Sequence, residues 1–193
     1  MVGTATLTTR DKMDVMRKAV TELQKLEVYV GIPEASSARK DSSELSNAEL
    51  AYMHTHGVRR LAMIEDMKFD IDHGSTYSKA HQMYIQVNGS PLWKSPPRPI
   101  IEPAIENSKD KIAEQLAIAG GMALDGNLQG AKDQLEKVGM LGQNIVRAWF
   151  VDPKNGWPEN SPITIAAKGS DKPLIDTGEL RKAITYVVGD RND

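Results

Sequence analysis

Apolar and polar positions follow two periods along this chain, and the switches between them mark its elements. Met13, Met16, Val20, Leu23 and Leu26 recur at steps of three and four, which gathers them on one stripe of a helix over 11–26. Val28, Tyr29, Val30 and Ile32 then precede Pro33, the composition and stop of a strand, and the first helix is expected to pack against its sheet. Residues 34–44 are small and charged without period, as in an exposed loop. Ser46 and Glu49 have capping-box spacing, in which each side chain accepts from the other's backbone N–H, so a short helix opens at Ser46 and ends at Gly57.

Period-two alternation at 67–71 and 83–87, with polar residues between, predicts a long-looped β-hairpin inserted over 61–95. Pro91, Pro96, Pro97 and Pro99 force an extended connection after it. Pro103 suits the first turn of a helix carrying Ile105, Ile112, Leu116 and Ala119, which Gly120-Gly121 should weaken or end. The strongest periodicity follows Asp125-Gly126: Leu128, Ala131, Leu135, Val138, Gly142, Ile145 and Trp149 predict one long helix with Trp149 in the core. Residues 152–158 have loop chemistry. Ser161-Pro162 opens a short helix stopped by Gly169, and Asp176 with Glu179 repeats the capping spacing. A strand at 183–188 can return to pair with the early strand. The implied class is α+β: a small, mainly antiparallel sheet packed with an N-terminal helix and a long central helical segment, in one domain over 1–193.

Composition narrows the functions. The chain has 193 residues, 40% hydrophobic and 26% charged, with only two Phe, so its core must rest on Leu, Ile, Val, Ala and Met. It has no cysteine, which excludes disulfides, a thiol nucleophile and cysteine-ligated zinc. A net charge of −2 lacks the positive field of a dedicated nucleic-acid binder. Neither a signal h-region nor an apolar run of membrane-spanning length is visible, so membrane insertion and classical secretion are not expected.

The segment Lys168-Gly169-Ser170-Asp171-Lys172-Pro173-Leu174-Ile175-Asp176-Thr177-Gly178-Glu179-Leu180-Arg181, with the strand after it, resembles the tail-completion and virion-morphogenesis proteins of tailed bacteriophages (the HK97 gp10-like group). Val30-Gly31-Ile32 followed by 48–57, and Pro96-Pro97-Arg98-Pro99, resemble further family segments in the same order. The stretch from Gly57 to Pro96 is longer than the family's. The resemblance implies a non-enzymatic structural protein of the virion neck or tail, assembled in the host cytoplasm. It also implies a homo-oligomeric ring, commonly a hexamer, that joins head connector or adaptor proteins to a tail terminator or tail tube protein. No cofactor is implied. Trp157, on a loop between Gly156 and Pro158, and Lys168, Asp171, Lys172, Asp176 and Arg181 are the expected interface residues. Arg59, Arg60, Lys94 and Arg98 form a basic cluster that DNA passing through the lumen could meet.

Competing chemistry is weaker. Asp176-Thr177-Gly178 is the triplet of aspartic proteases, but one copy needs a dimer to pair two carboxylates, and Glu179 stands where such a site wants a small residue. A phage-encoded aspartic-type protease or other hydrolase using Asp176 is the first alternative, a DNA-binding adaptor the second. His54 and His56, two apart on a helix, point to different faces, and with His73 and His81 they lack metal-ligand spacing. Residues 168–172 lack the glycine spacing of a phosphate loop.

Overall fold

A computed structural model describes residues 9–39, 45–59, 61–76, 79–80, 83–84 and 93–191. The long helix predicted by the strongest periodicity, α6 (Leu128–Trp149), is the centre of the molecule. Its buried positions include Ala131, Leu135, Val138, Gly142, Val146 and Trp149, and the Asn127 side chain caps it by accepting from the Gly130 N–H at 2.9 Å. Around it pack α1 (Thr9–Leu23), β1 (Leu26–Gly31), α4 (Ile101–Asn107), α5 (Lys109–Leu124) and β4 (Thr185–Asp190). The described residues also form α2 (Asn47–His56), β2 (Val58–Arg59), α3 (Leu61–Asp72), β3 (Trp93–Ser95), α7 (Pro162–Lys168) and α8 (Glu179–Ala183). The fold is α+β.

The last strand does return to the first. β1 and β4 pair antiparallel from Leu26↔Asp190 to Gly31↔Thr185, and one face of this ladder lies on α6. Val30 and Tyr186 are directly opposite each other, and both press on glycines of α6. A Cβ at Gly139 would lie 2.7 Å from Tyr186 Cγ, and one at Gly142 would lie 2.8 Å from Val30 Cγ2. The outward pair, Tyr29 and Val187, is left half exposed.

The first helix packs on α5 and α6 instead of on the sheet. Ala19, Ala123 and Ala131 form the joint, with Val20, Leu23, Met122 and Leu128 around it. Three small side chains let these helices approach closely, while the narrow ladder's inner face is already covered by α6. Met13 is consequently 48% exposed. The larger cluster lies at the other end of α6, where Ile100, Ala104, Val146, Trp149, Phe150, Trp157, Leu180 and Ile184 meet.

The predicted hairpin is overturned. Residues 61–72 are helical, as are 79–80 and 83–84, whereas 85–87 lie outside the described residues. Alternation over five residues is too short a signal against the helix formers Leu61, Ala62, Met63, Glu65 and Lys68. Of the three alternating apolar residues, Met67 is buried against Ala80, but Phe69 is 68% exposed. The excursion is closed at its base by β2 and β3, which pair antiparallel through Val58↔Ser95 and Arg59↔Trp93. Beside this stem Gly57 ends α2 at φ +77°, where a Cβ would meet Pro97 N at 2.9 Å.

Two boundaries also differ. The helix carrying Pro103 breaks at Ser108 and resumes as α5, which runs through Gly120-Gly121 to Leu124. Burial of Ala119 and Ala123 supplies what the two glycines lack in propensity. Asp176 does not cap α8. Gly178 stands at the N-cap in the left-handed region without a side-chain cap, and the Glu179 N–H donates to Thr177 Oγ1 at 3.3 Å.

Glycine substitutions separate these roles. A Cβ at Gly120 or Gly121 meets nothing within 4 Å, so replacing both by Ala is expected to raise stability by about 1–2 kcal/mol in chemical denaturation. Gly139→Ala, pressed into the Tyr186 ring, is expected to lower it by about 1–3 kcal/mol despite the gain in propensity.

Candidate functional site

The segment from 150 to 184 contains little regular structure, so its carbonyl groups need donors from elsewhere. Cationic side chains supply them. Arg98 is 5% exposed, and its guanidinium donates from Nε to Pro158 O at 3.0 Å and from Nη2 to Pro158 O at 2.8 Å and Glu159 O at 3.1 Å. Lys168 Nζ donates to Lys172 O and, at 2.8 Å, to Ile175 O, which folds the loop after α7 back on that helix. Arg147 donates to Ile184 O and Lys182 O, while Arg181 Nε donates to Arg147 O at 2.7 Å. α6 and α8 are therefore cross-braced by two arginines.

These braces hold open a cleft of about 600 Å³. Asn47, Leu50 and His54 of α2 form one wall, and Ser95, Pro96 and Arg98 lie beside them. Glu159, Asn160, Ser161, Thr164 and Lys168 line it from the α7 side, and residues 174–180 complete the rim. α2 is placed by the capping box read from sequence: Ser46 Oγ accepts from the Glu49 N–H at 3.2 Å, and Glu49 Oε2 accepts from the Ser46 N–H at 2.8 Å. α7 is likewise capped by Ser161 and closed by Gly169 in the left-handed region.

Two of the three cations that line the cleft, Arg98 and Lys168, donate to main-chain oxygens; Arg39 is the third. Burial lowers the Arg98 pKa. Burial likewise lowers that of Lys168, with Arg98 adding to the effect and Asp176 and Asp171 opposing it. Burial, and then the Arg98 charge, push the His54 imidazole below its ordinary value. His54 O also accepts from the Arg98 N–H at 2.7 Å, which ties α2 to the proline-rich connection.

The expected interface residues fare unequally. Trp157 is corrected to the core: it is 8% exposed, its indole N–H donates to Pro99 O at 3.0 Å, and its ring meets Phe150 edge-on at 5.6 Å. A tight turn around Gly156 and the Asn155 side chain, which accepts from the Trp157 N–H at 3.0 Å, aim the ring inward. Lys168 and Arg181 are partly buried braces. Asp171, Lys172 and Asp176 remain exposed. Asp176 stands on the cleft rim near Lys168, in the turn before α8.

Of the basic cluster, Arg98 cannot face DNA, since its guanidinium is enclosed and used. Arg59 and Lys94 lie on the β2–β3 stem, and Arg60 lies outside the described residues. The histidines separate too. His54 lines the cleft, whereas His56 is exposed, with Nδ1 2.8 Å from Tyr52 O and its ring on Tyr52. His73 makes the same pair of contacts with Phe69, and His81 lies outside the described residues. No group of three or more His, Cys, Asp or Glu that could hold a metal ion occurs among the described residues. No helix among them is long and apolar enough to cross a membrane.

Asn47 and Arg147 are contributions that sequence reading missed. Asn47 follows the Ser46 cap directly and so enters the helix at its first position, but nothing in the sequence says which way it faces. Arg147 lay hidden on the polar side of the α6 stripe. No family model matches this chain, and neither curated proteins nor solved structures yield a match.

Arg98→Ala removes a charged donor from two carbonyls and is expected to cost about 2–3 kcal/mol in chemical denaturation. Arg98→Lys should recover less than half, because an ammonium cannot reproduce the planar fork. His54 sets a pH dependence. Its pKa is depressed in the folded state, so its contribution to stability is complete above 6.5, the ordinary value, and is lost as pH falls through the folded value. Thermal midpoints of the wild type should therefore fall below pH 6.5 more steeply than those of His54→Gln.

Proposed function

We propose that this chain is a structural subunit of the neck or tail end of a tailed bacteriophage. It works as one member of a homo-oligomeric ring, six-membered as in the group it resembles, that joins head connector proteins to the tail terminator or tube. It performs no reaction. The observation that carries this reading is α7. Its sequence, PITIAAK, is apolar at five of its seven positions, yet it contains no buried residue, and Ile163 is 83% exposed.

A seven-residue helix has little intrinsic stability, and an apolar one turned to solvent gains nothing from burial in its own subunit. Exposed apolar surface of this kind belongs to an interaction site. The helix immediately precedes the Lys168–Arg181 segment that resembles the phage family. Lys168, Gly169, Leu174, Ile175, Gly178 and Leu180 of this stretch have architectural tasks: a clasp, two left-handed turns and anchors to the larger core cluster. They shape a lobe for contact, and of its rim carboxylates Asp176 stands in a structural turn and Glu179 opens α8. A ring subunit needs two unlike surfaces that mate head to tail, and a clasped lobe beside a cleft supplies a convex and a concave one. The β2–β3 stem carries Arg59 and Lys94, which with Arg60 remain the candidates for DNA in the lumen.

Negative-stain microscopy of the purified chain should show closed rings, and labelled antibody should mark the neck or tail end of intact particles. Ile163→Asp is expected to abolish rings while shifting stability by less than about 0.5 kcal/mol. Rings that persist in this variant would remove α7 from the interface, and functional particles lacking the protein would defeat the reading as a whole.

A further inference from the structure

β1 has an open edge. The Arg191 N–H donates to Lys25 O at 2.7 Å, which makes Lys25 and Arg191 a hydrogen-bonded pair of the antiparallel ladder, so Glu27, Tyr29 and Gly31 also turn their main-chain groups toward β4. Leu26, Val28 and Val30 turn theirs the other way. No other strand among the described residues pairs with β1, and no main-chain bond meets these three from outside the ladder. Native proteins cover or blunt such an edge.

Beside this edge runs a groove of about 430 Å³. It is lined by Leu26, Val28 and Val30 of β1, by Leu135 and Val138 of α6, and by Ile105 of α4 and Leu116 of α5. None of its lining residues belongs to β4, so it lies on the side to which the open edge points. Glu27 is the one charged residue among them, and its carboxylate is engaged by Arg191 Nε at 3.2 Å and the Tyr29 hydroxyl at 2.7 Å. An open strand edge beside an apolar groove takes an extended, uncharged segment, whose main chain continues the ladder and whose alternate side chains enter the groove. A strand of a folded copy does not fit, because β1 and β4 each already rest on their own α6.

Residues 1–8, which precede α1 and lie outside the described residues, carry the matching pattern. No side chain in Met1-Val2-Gly3-Thr4-Ala5-Thr6-Leu7-Thr8 is charged, and from Gly3 onward apolar residues alternate strictly with Thr. The six residues of that alternation equal β1 in length. Their own β1 is out of reach. α1 advances in the same direction as α6, with Val15 at Gly126 and Ala19 clustered with Ala131, whereas Val30 sits farther on at Gly142. Gly126 and Gly142 are about 20 Å apart along α6, and Thr9 lies about 9 Å behind Val15 on α1. Residues 3–8, fully extended, span about 20 Å, so they end before they can run along the β1 of their own copy. We propose that residues 3–8 of one copy add as a third strand to the open edge of β1 in a second copy, with Ala5 and Leu7 in the groove. This contact uses neither α7 nor the cleft, and it stands whether or not the copies close into a ring.

Sedimentation velocity and cross-linking of the full chain test this. Deletion of residues 2–8, which leaves every described element intact, is expected to weaken self-association by roughly tenfold or more with circular dichroism unchanged. Val28→Pro removes one outward N–H but no bond to β4, a place where an edge strand tolerates proline, and should weaken association as much; if it fails to fold, the deletion decides. The chain has no cysteine, so Ala5→Cys provides a unique attachment point for a photoreactive benzophenone. When this variant, isotope-labelled, is mixed with unlabelled wild type, its cross-links should map to 26–30 or 112–116 of the unlabelled chain. Cross-links confined to the labelled chain itself, or a deletion that associates like the wild type, overturn the inference and leave the ring reading intact. A wild type that stays monomeric at every concentration overturns both.

Discussion

Much of this structure depends on how closely a two-stranded ladder can approach one helix. Val30 and Tyr186, directly opposed across β1 and β4, sit on Gly139 and Gly142, which are one turn apart on α6. Any side chain at either glycine would hold the ladder away from the helix. Two strands alone are marginal in water, so the ladder exists because α6 covers its inner face. That contact brings residues 26–31 and 185–190 together and closes the chain on itself. It also leaves the opposite faces of α6 to α1, α4 and α5.

A second constraint operates beyond the end of α6. The chain from Phe150 to Ile184 passes through turns and two short helices, and its main-chain oxygens cannot all be met by regular structure. Arg98, Arg147 and Lys168 donate to carbonyls there instead, and Arg181 donates back to the Arg147 carbonyl of α6. Long cationic side chains serve this purpose because they reach across several ångströms and bring donors whose hydrogen bonds are stronger than neutral ones. In this way two of the cations that line the cleft, Arg98 and Lys168, serve the backbone.

These two constraints leave a particular surface. The braced lobe borders a cleft against α2, and the helix at its edge is short, mostly apolar and turned outward. The contact proposed above with another chain draws on this surface. The ring reading rests on this arrangement of α7 and α2.

Sequence by itself determined the elements whose signals are local. The α6 stripe, the Ser46–Glu49 box, the Ser161 and Gly169 ends of α7, and the β character of the first and last strands follow from periodicity and capping, which act within a few residues. The α+β class follows from their order. Tertiary structure decided what depends on distant partners. Alternation at 67–71 yielded to helix because five residues of pattern are weaker than the propensity of the twelve around them. Met13, Trp157 and Arg98 changed sides because burial is set by what lies opposite: alanines for α1, Pro99 and Phe150 for Trp157, two loop carbonyls for Arg98. The cleft was invisible for the same reason. Asn47 and His54 share a face with residues more than 100 positions away, and only the return of the chain along α6 puts α7 beside them.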